Sequence, residues 1–69
     1  MSIEEDAIKE AMVALDRAEK QFTAYAEHHR AIGEYDKATT NHGYALACGH
    51  AFERMRLVYV GVKLDLGTE

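Results

Sequence analysis

Apolar residues in the first half of the chain recur every seven positions. They form two rows, which are Ile8, Leu15, Phe22 and His29, and Ala11, Ala18, Tyr25 and Ile32. Rows with this period lie along one side of an α-helix. Met12 and Ala26 widen the stripe, and polar residues fall mainly outside it. The pattern predicts an amphipathic helix over about residues 3–31.

Both ends of this helix carry sequence signals. Ser2 is a favourable N-cap, and Glu5, three residues later, completes a capping box. Gly33 offers the left-handed conformation that commonly ends a helix. We therefore expect a loop over residues 32–36 after the first helix.

The second half of the chain has an apolar stripe whose spacing alternates between three and four. Its members are Ala38, Asn41, Ala45, Cys48, Phe52, Met55, Tyr59 and Val62. Asp36 is the expected N-cap, with Thr39 or Thr40 as the alternative. The stripe predicts a helix over about residues 37–60. A short loop between helices of similar length favours antiparallel packing.

Two features of the second helix leave alternatives open. Gly43 and Gly49 either weaken the helix locally or allow close backbone contact. From Leu57 to Leu66 apolar residues partly alternate with polar ones, which is also a strand pattern. We expect a short extended tail over residues 61–69, with a strand paired between subunits as the alternative.

The length and the charge limit the class of protein. A chain of 69 residues forms one domain, here 1–69, near the lower limit of independent folding. Cys48 is the only cysteine, and the acidic N-terminus lacks the features of a secretory signal, so we expect a cytoplasmic protein. No apolar run is long enough for a membrane span. The net charge of −4 argues against nucleic acid as a partner.

The apolar content exceeds what one pair of helices can cover. We therefore expect an all-α antiparallel two-helix hairpin that forms a homodimer, a four-helix bundle. The alternative is that the uncovered stripe serves a different protein. The residues assigned to the core or the dimer contact are Ile8, Leu15, Phe22, Tyr25, Phe52, Met55 and Tyr59.

Catalytic and metal-binding patterns find little support. His50 and Glu53 are the one pair of possible metal ligands that shares a helical face, and no second pair accompanies them. Cys48 lies on the apolar stripe, where a thiol usually acts as a small apolar group. We expect no catalytic residue, no metal site and no cofactor.

The hairpin end concentrates charge and an aromatic ring that the core does not require. Its residues are the candidates for binding a partner: His29, Arg30, Glu34, Tyr35, Asp36 and Lys37. Tyrosine and arginine are enriched among residues that anchor protein interfaces. The alternative is that Tyr35 packs over the loop and fastens the two helices together.

Two resemblances bear on function. The stretch Phe22-x-x-Tyr25-Ala26-x-x-His29, followed by Gly33-Glu34-Tyr35-Asp36-Lys37-Ala38, resembles a single tetratricopeptide hairpin. Such repeats stack in several copies, and this chain has one. In size and plan the chain also resembles small phage-encoded helical hairpins that take over host functions, of the quorum-sensing anti-activator type. That resemblance implies an inhibitor of a bacterial host regulator, such as a transcription activator.

These observations favour a non-enzymatic homodimer that binds another protein and inhibits or modulates it. The first alternative is a structural or assembly protein that only associates with itself. The second is a small regulator that contacts DNA through the basic residues Arg54, Arg56 and Lys63.

Overall fold

Two long helices make up the part of the chain that the structure describes. This computed structural model describes residues 3–67, with side chains through residue 64. Helix α1 spans Ile3–Ala31 and helix α2 spans Tyr35–Gly67. They run antiparallel, and the Cα atoms fill a rod of 55 × 15 × 11 Å. The expected all-α hairpin is therefore confirmed for the described residues.

Helix α1 has the expected bounds. Its first turn carries Glu4, Glu5 and Asp6, and its last turn carries His28, His29 and Arg30. Acidic residues at the N-terminus and basic residues at the C-terminus both interact favourably with the helix dipole. The cap expected at Ser2 lies outside the described residues.

The covered side of α1 differs from the expected pair of rows. The row containing Ile8, Leu15, Phe22 and His29 is half-buried, as expected. The second row of α1 that faces α2 consists of Glu5, Met12, Glu19 and Ala26. The expected second row lies on the flank, where Tyr25 and Ile32 are exposed. We call the contact between α1 and α2 the seam. Because two of the four residues in the row that faces α2 are glutamates, a search for apolar periodicity does not detect it.

The covered stripe of α2 follows the expected spacing. Ala38 and Ala45 are buried and the other members are half-buried. Asn41 fits this stripe because its side-chain amide donates a hydrogen bond to the carbonyl of Lys37, at 2.8 Å. The polar group is thereby satisfied within its own helix and needs nothing from α1.

Helix α2 is longer than expected at both ends. It begins at Tyr35, so the loop is residues 32–34, and Asp36 lies inside the helix rather than at its cap. It continues to Gly67, so the expected extended tail and its strand alternative are wrong for residues 61–67. Val62 keeps the stripe in helical register, and the Lys63 ammonium lies 5.5 Å from the ring centre of Tyr59. These contacts have helical spacing, and they outweigh the strand preference that the alternation of apolar and polar residues indicates.

Gly43 and Gly49, the two glycines of α2 that left alternatives open, differ in their surroundings. A Cβ atom added at Gly49 would meet Glu19 Oε2 at 2.9 Å, whereas one added at Gly43 would meet nothing within 4 Å. Gly49 thus allows a close approach, which is made by a carboxylate of α1. At Gly43 the hairpin supplies no such contact.

Candidate functional site

The turn between the helices is built around Gly33 and Glu34. Gly33 has a φ of +82°, and its N–H donates to the Arg30 carbonyl at 3.1 Å. The N–H of Glu34 donates to the His29 carbonyl at 2.8 Å. These two bonds form a Schellman motif, which closes the C-terminus of α1. The Glu34 carbonyl also accepts from the N–H of Ala38 at 3.0 Å, so Glu34 is the N-cap of α2.

The Glu34 side chain lies beside one polar side chain from each helix. Lys37 Nζ lies 2.7 Å from Glu34 Oε2. This hydrogen bond and the lysine charge lower the pKa of Glu34, to which the nearby His29 adds, and the same bond raises the pKa of Lys37. His29 Nδ1 is buried and lies 3.6 Å from Glu34 Oε1, which is too far for a hydrogen bond. The histidine contact is therefore electrostatic, and the lysine contact is the stronger one.

Tyr35 projects from the turn instead of covering it. Its side chain is 67% exposed, which speaks against its fastening the two helices together. It borders an open hollow of about 390 Å³ together with Gly33, Glu34, Asp36 and Lys37. Of the six candidate partner-binding residues, the structure brings His29, Glu34 and Lys37 into contact. Arg30 and Asp36 are exposed nearby.

The residues assigned to the core or the dimer contact are incompletely covered. Six of them are half-buried: Ile8, Leu15, Phe22, Phe52, Met55 and Tyr59. The seventh, Tyr25, is 46% exposed, and its hydroxyl accepts a hydrogen bond from Gln21 Nε2 at 2.9 Å. Among the described side chains, no large one is fully buried; the buried apolar residues are Ala26, Ala38 and Ala45.

One long side of the hairpin carries no charged residue over its central length. We call it the apolar side. It combines two rows with alternating spacings of three and four, Ile8, Ala11, Leu15, Ala18, Phe22 and Tyr25 on α1 and Tyr44, Cys48, Ala51, Met55, Val58 and Val62 on α2. Such spacing keeps each row on one side of its helix. The rings of Phe22 and Tyr44, 5.2 Å apart between centres, join the two rows.

The other long side, which we call the grooved side, mixes charged and apolar residues. Its larger groove, of about 660 Å³, is lined by Lys9, Met12, Val13, Asp16, Arg17, Lys20, Phe52 and Tyr59. A second groove is lined by Glu19, Thr23, His42, Ala45, Leu46, Gly49, His50 and Glu53. Lys20 and Asp16, which both line the first groove, form an ion pair along helix α1 at 3.1 Å.

A buried carboxylate lies at the open end of the grooved side. Glu5 is only 7% exposed, and the Tyr59 hydroxyl donates to its Oε1 at a long distance of 3.4 Å. Lys9 Nζ lies 3.6 Å from the same oxygen. The Tyr59 hydroxyl and then the Glu5 carboxylate raise the pKa of Lys9. The capping box predicted for Glu5 does not anticipate these contacts. The spacing of seven residues between Glu5 and Met12 was the signal that both lie on the side of α1 that faces α2.

No protein-family model, curated protein or solved structure matches this chain. Neither described helix combines the length and apolar character that crossing a membrane requires. Among the side chains of residues 3–64, no three of histidine, cysteine, aspartate or glutamate come together as a metal site would need. The features that remain for function are the turn end and the two long sides.

Proposed function

We propose that this chain is a non-enzymatic protein-binding module that acts as a homodimer of helical hairpins and modulates another protein. The observation that carries the proposal is the absence of any fully buried large side chain among the described residues. A domain of this size needs a well-covered core, so a further protein surface has to supply the missing cover.

The uncovered apolar area is large enough to matter. Val13, Tyr44, Leu57 and Val58 are each at least half exposed, and Leu64 is more so. Full burial of one such side chain contributes roughly 1.5–3 kcal/mol. The stability of a whole domain is about 5–15 kcal/mol, so covering several of these residues would add a substantial part of it.

The turn end supports the binding of a second, different protein. Tyr35 offers an exposed ring on a backbone held by the Schellman motif. The Glu34–Lys37 ion pair and the exposed Arg30 surround it with polar groups. A rigid aromatic residue with a polar rim is a common arrangement at protein interfaces. The resemblance to phage host-takeover hairpins suggests a bacterial regulator, such as a transcription activator, as the partner.

The proposal is tested by affinity capture from bacterial lysate with three forms of the full chain: native, Tyr35→Ala and Tyr35→Phe. We expect the native chain and Tyr35→Phe to retain one specific partner, and Tyr35→Ala to lose it while circular dichroism shows unchanged helix content. Light scattering on the native chain should give the mass of two copies. A specific partner retained equally by all three forms would refute the role of the turn end.

A structural or assembly role is the second candidate, and a specific observation favours it. Leu57 and Leu64 are exposed on α2 outside the apolar side, so a dimer formed through that side leaves apolar surface uncovered. Further association through these residues would produce species larger than a dimer. Light scattering that shows such species at micromolar concentration, with no other protein captured, would favour this candidate.

A further inference from the structure

The apolar side has the composition of a permanent subunit interface. None of its twelve positions is charged, although 20 of the 69 residues of the chain are lysine, arginine, aspartate or glutamate. Interfaces between permanently associated copies resemble a protein core cut in half, whereas surfaces for transient partners keep more polar groups. The grooved side, with its ion pairs, resembles the more polar surfaces that bind transient partners.

The dimensions of the apolar side are sufficient for a specific dimer contact. The row from Tyr44 to Val62 is about 27 Å long at 1.5 Å per residue, and two packed helices present a surface about 20 Å wide. Two copies meeting over this side would remove at least about 1,000 Å² from water, which reaches the lower limit for a specific protein interface.

The distribution of side-chain size along this side allows close approach of a second copy. Towards the middle, Ala11, Ala18 and Ala51 alternate with Leu15 and Met55, and the large rings lie towards the turn end, namely Phe22, Tyr25 and Tyr44. Small residues at the centre let helices approach closely, and neighbouring large residues fill the space beside them.

We propose that a second copy of this chain docks on the apolar side, so that the grooved side and the turn end face outward in the dimer. This inference rests on the proposed function, because it assigns the surface through which the proposed homodimer forms. It also explains how one molecule can associate with itself and still present its charged turn to another protein.

Two valines of α2 provide a matched test. Val58 belongs to the apolar side and is 51% exposed in the hairpin, whereas Val60 is 43% exposed. Val60 continues the row of Gly49, Glu53 and Arg56 along the grooved side. The two residues are two positions apart and therefore point in nearly opposite directions. Each tolerates a larger side chain in the single hairpin because each is partly exposed.

The experiment compares the native chain, Val58→Glu and Val60→Glu by sedimentation equilibrium. We expect Val58→Glu to weaken self-association at least ~100-fold, because each copy would bring an unpaired carboxylate into the contact. Val60→Glu should dimerise within a few-fold of the native chain. Circular dichroism at high concentration confirms that each variant is helical.

The alkylation rate of Cys48 provides a second test, which needs no substitution. This residue lies on the apolar side, it is half-buried in the hairpin, and it is the only cysteine. Alkylation of its thiol in the native chain should slow as the concentration rises through the dimer dissociation constant. This measurement still decides the matter if Val58→Glu fails to fold.

Three results would overturn the assignment. A native dimer that Val60→Glu disrupts as strongly as Val58→Glu, or a dimer in which Cys48 alkylation stays independent of concentration, would refute this surface while leaving the homodimer intact. A folded native chain that remains a single copy at micromolar concentration would refute the homodimer itself.

Discussion

The same substitution at two glycines is expected to change stability in opposite directions. Gly33 has a positive φ of 82°, a conformation that costs a residue with a Cβ atom about 1–2 kcal/mol. Gly43 lies inside α2, where alanine is favoured over glycine by about 1 kcal/mol. At both positions an added Cβ atom would meet nothing within 4 Å, so backbone conformation alone decides the sign.

We therefore expect Gly33→Ala to lower the free energy of unfolding by about 1–2 kcal/mol and Gly43→Ala to raise it by about 1 kcal/mol. Urea unfolding followed by far-ultraviolet circular dichroism measures both changes. All samples must share one protein concentration, because association contributes to the measured stability. With a slope of about 1 kcal/mol per molar urea, the two midpoints should differ by about 2–3 M.

The result that would refute this reasoning is a change of the same sign at both positions. Destabilisation by Gly43→Ala would mean that a contact absent from the single hairpin approaches this glycine closely. Stabilisation by Gly33→Ala would mean that the turn adopts another conformation in solution. The double variant provides the control, since independent sites should give additive changes.

Three further predictions follow from individual side chains. Phe52→Ala should lower the free energy of unfolding by about 3 kcal/mol, the lower end for such a truncation because the ring is only half-buried; a calorimetric loss below about 1 kcal/mol would contradict its place in the seam. The lowered pKa of Glu34 implies a stabilising contribution that is present above the ordinary carboxyl range and is lost as the pH falls through that lowered pKa. Melting curves at acidic pH should therefore show a steeper loss for the native chain than for Glu34→Gln, and parallel profiles would count against the ion pair with Lys37. Tyr59→Phe should cost at most about 1 kcal/mol in urea unfolding, because its bond to Glu5 is long and Lys9 remains beside the carboxylate; a loss above about 2 kcal/mol would show a stronger bond than the distance indicates.

The sequence predicted the hairpin well because its main signals are local. The stop at Gly33 and the acidic first turn gave α1 its bounds. The alternating spacing from Ala38 to Val62 gave the covered stripe of α2. These signals depend on backbone conformation and helical periodicity, which short stretches of sequence carry by themselves.

The errors arose where tertiary contacts decide the outcome or where two local signals compete. Glu5 and Glu19 occupy covered positions on α1 because Tyr59 and Gly49 across the seam accommodate their carboxylates. Residues 61–67 of α2 are helical although valines and leucines alternate with other residues from Val58 to Leu66, as in a strand. Asp36 is a better cap by residue type than Glu34, but the Schellman motif at Gly33 already places Glu34 where α2 begins. Neither composition nor period reports on such pairings.

The candidate site was predicted only in part. The grouping of His29, Glu34 and Lys37 follows from their closeness in sequence, and the structure adds their distances. The apolar side was predicted only in part, since its residues Ile8, Leu15, Phe22, Tyr25 and Met55 were assigned to the core or the dimer contact without a decision between the two. Its significance depends on knowing which residues α2 leaves uncovered.

The backbone of Glu34 is hydrogen-bonded to both helices, and this restricts how the chain can change. Its N–H closes α1 and its carbonyl opens α2, so the connection has no spare residue. Inserting or deleting one residue there would break both terminations together and rotate one helix against the other by about 100°. The turn therefore sets the rotation of α2 relative to α1, which makes it a poor place for a fused tag or a lengthened linker.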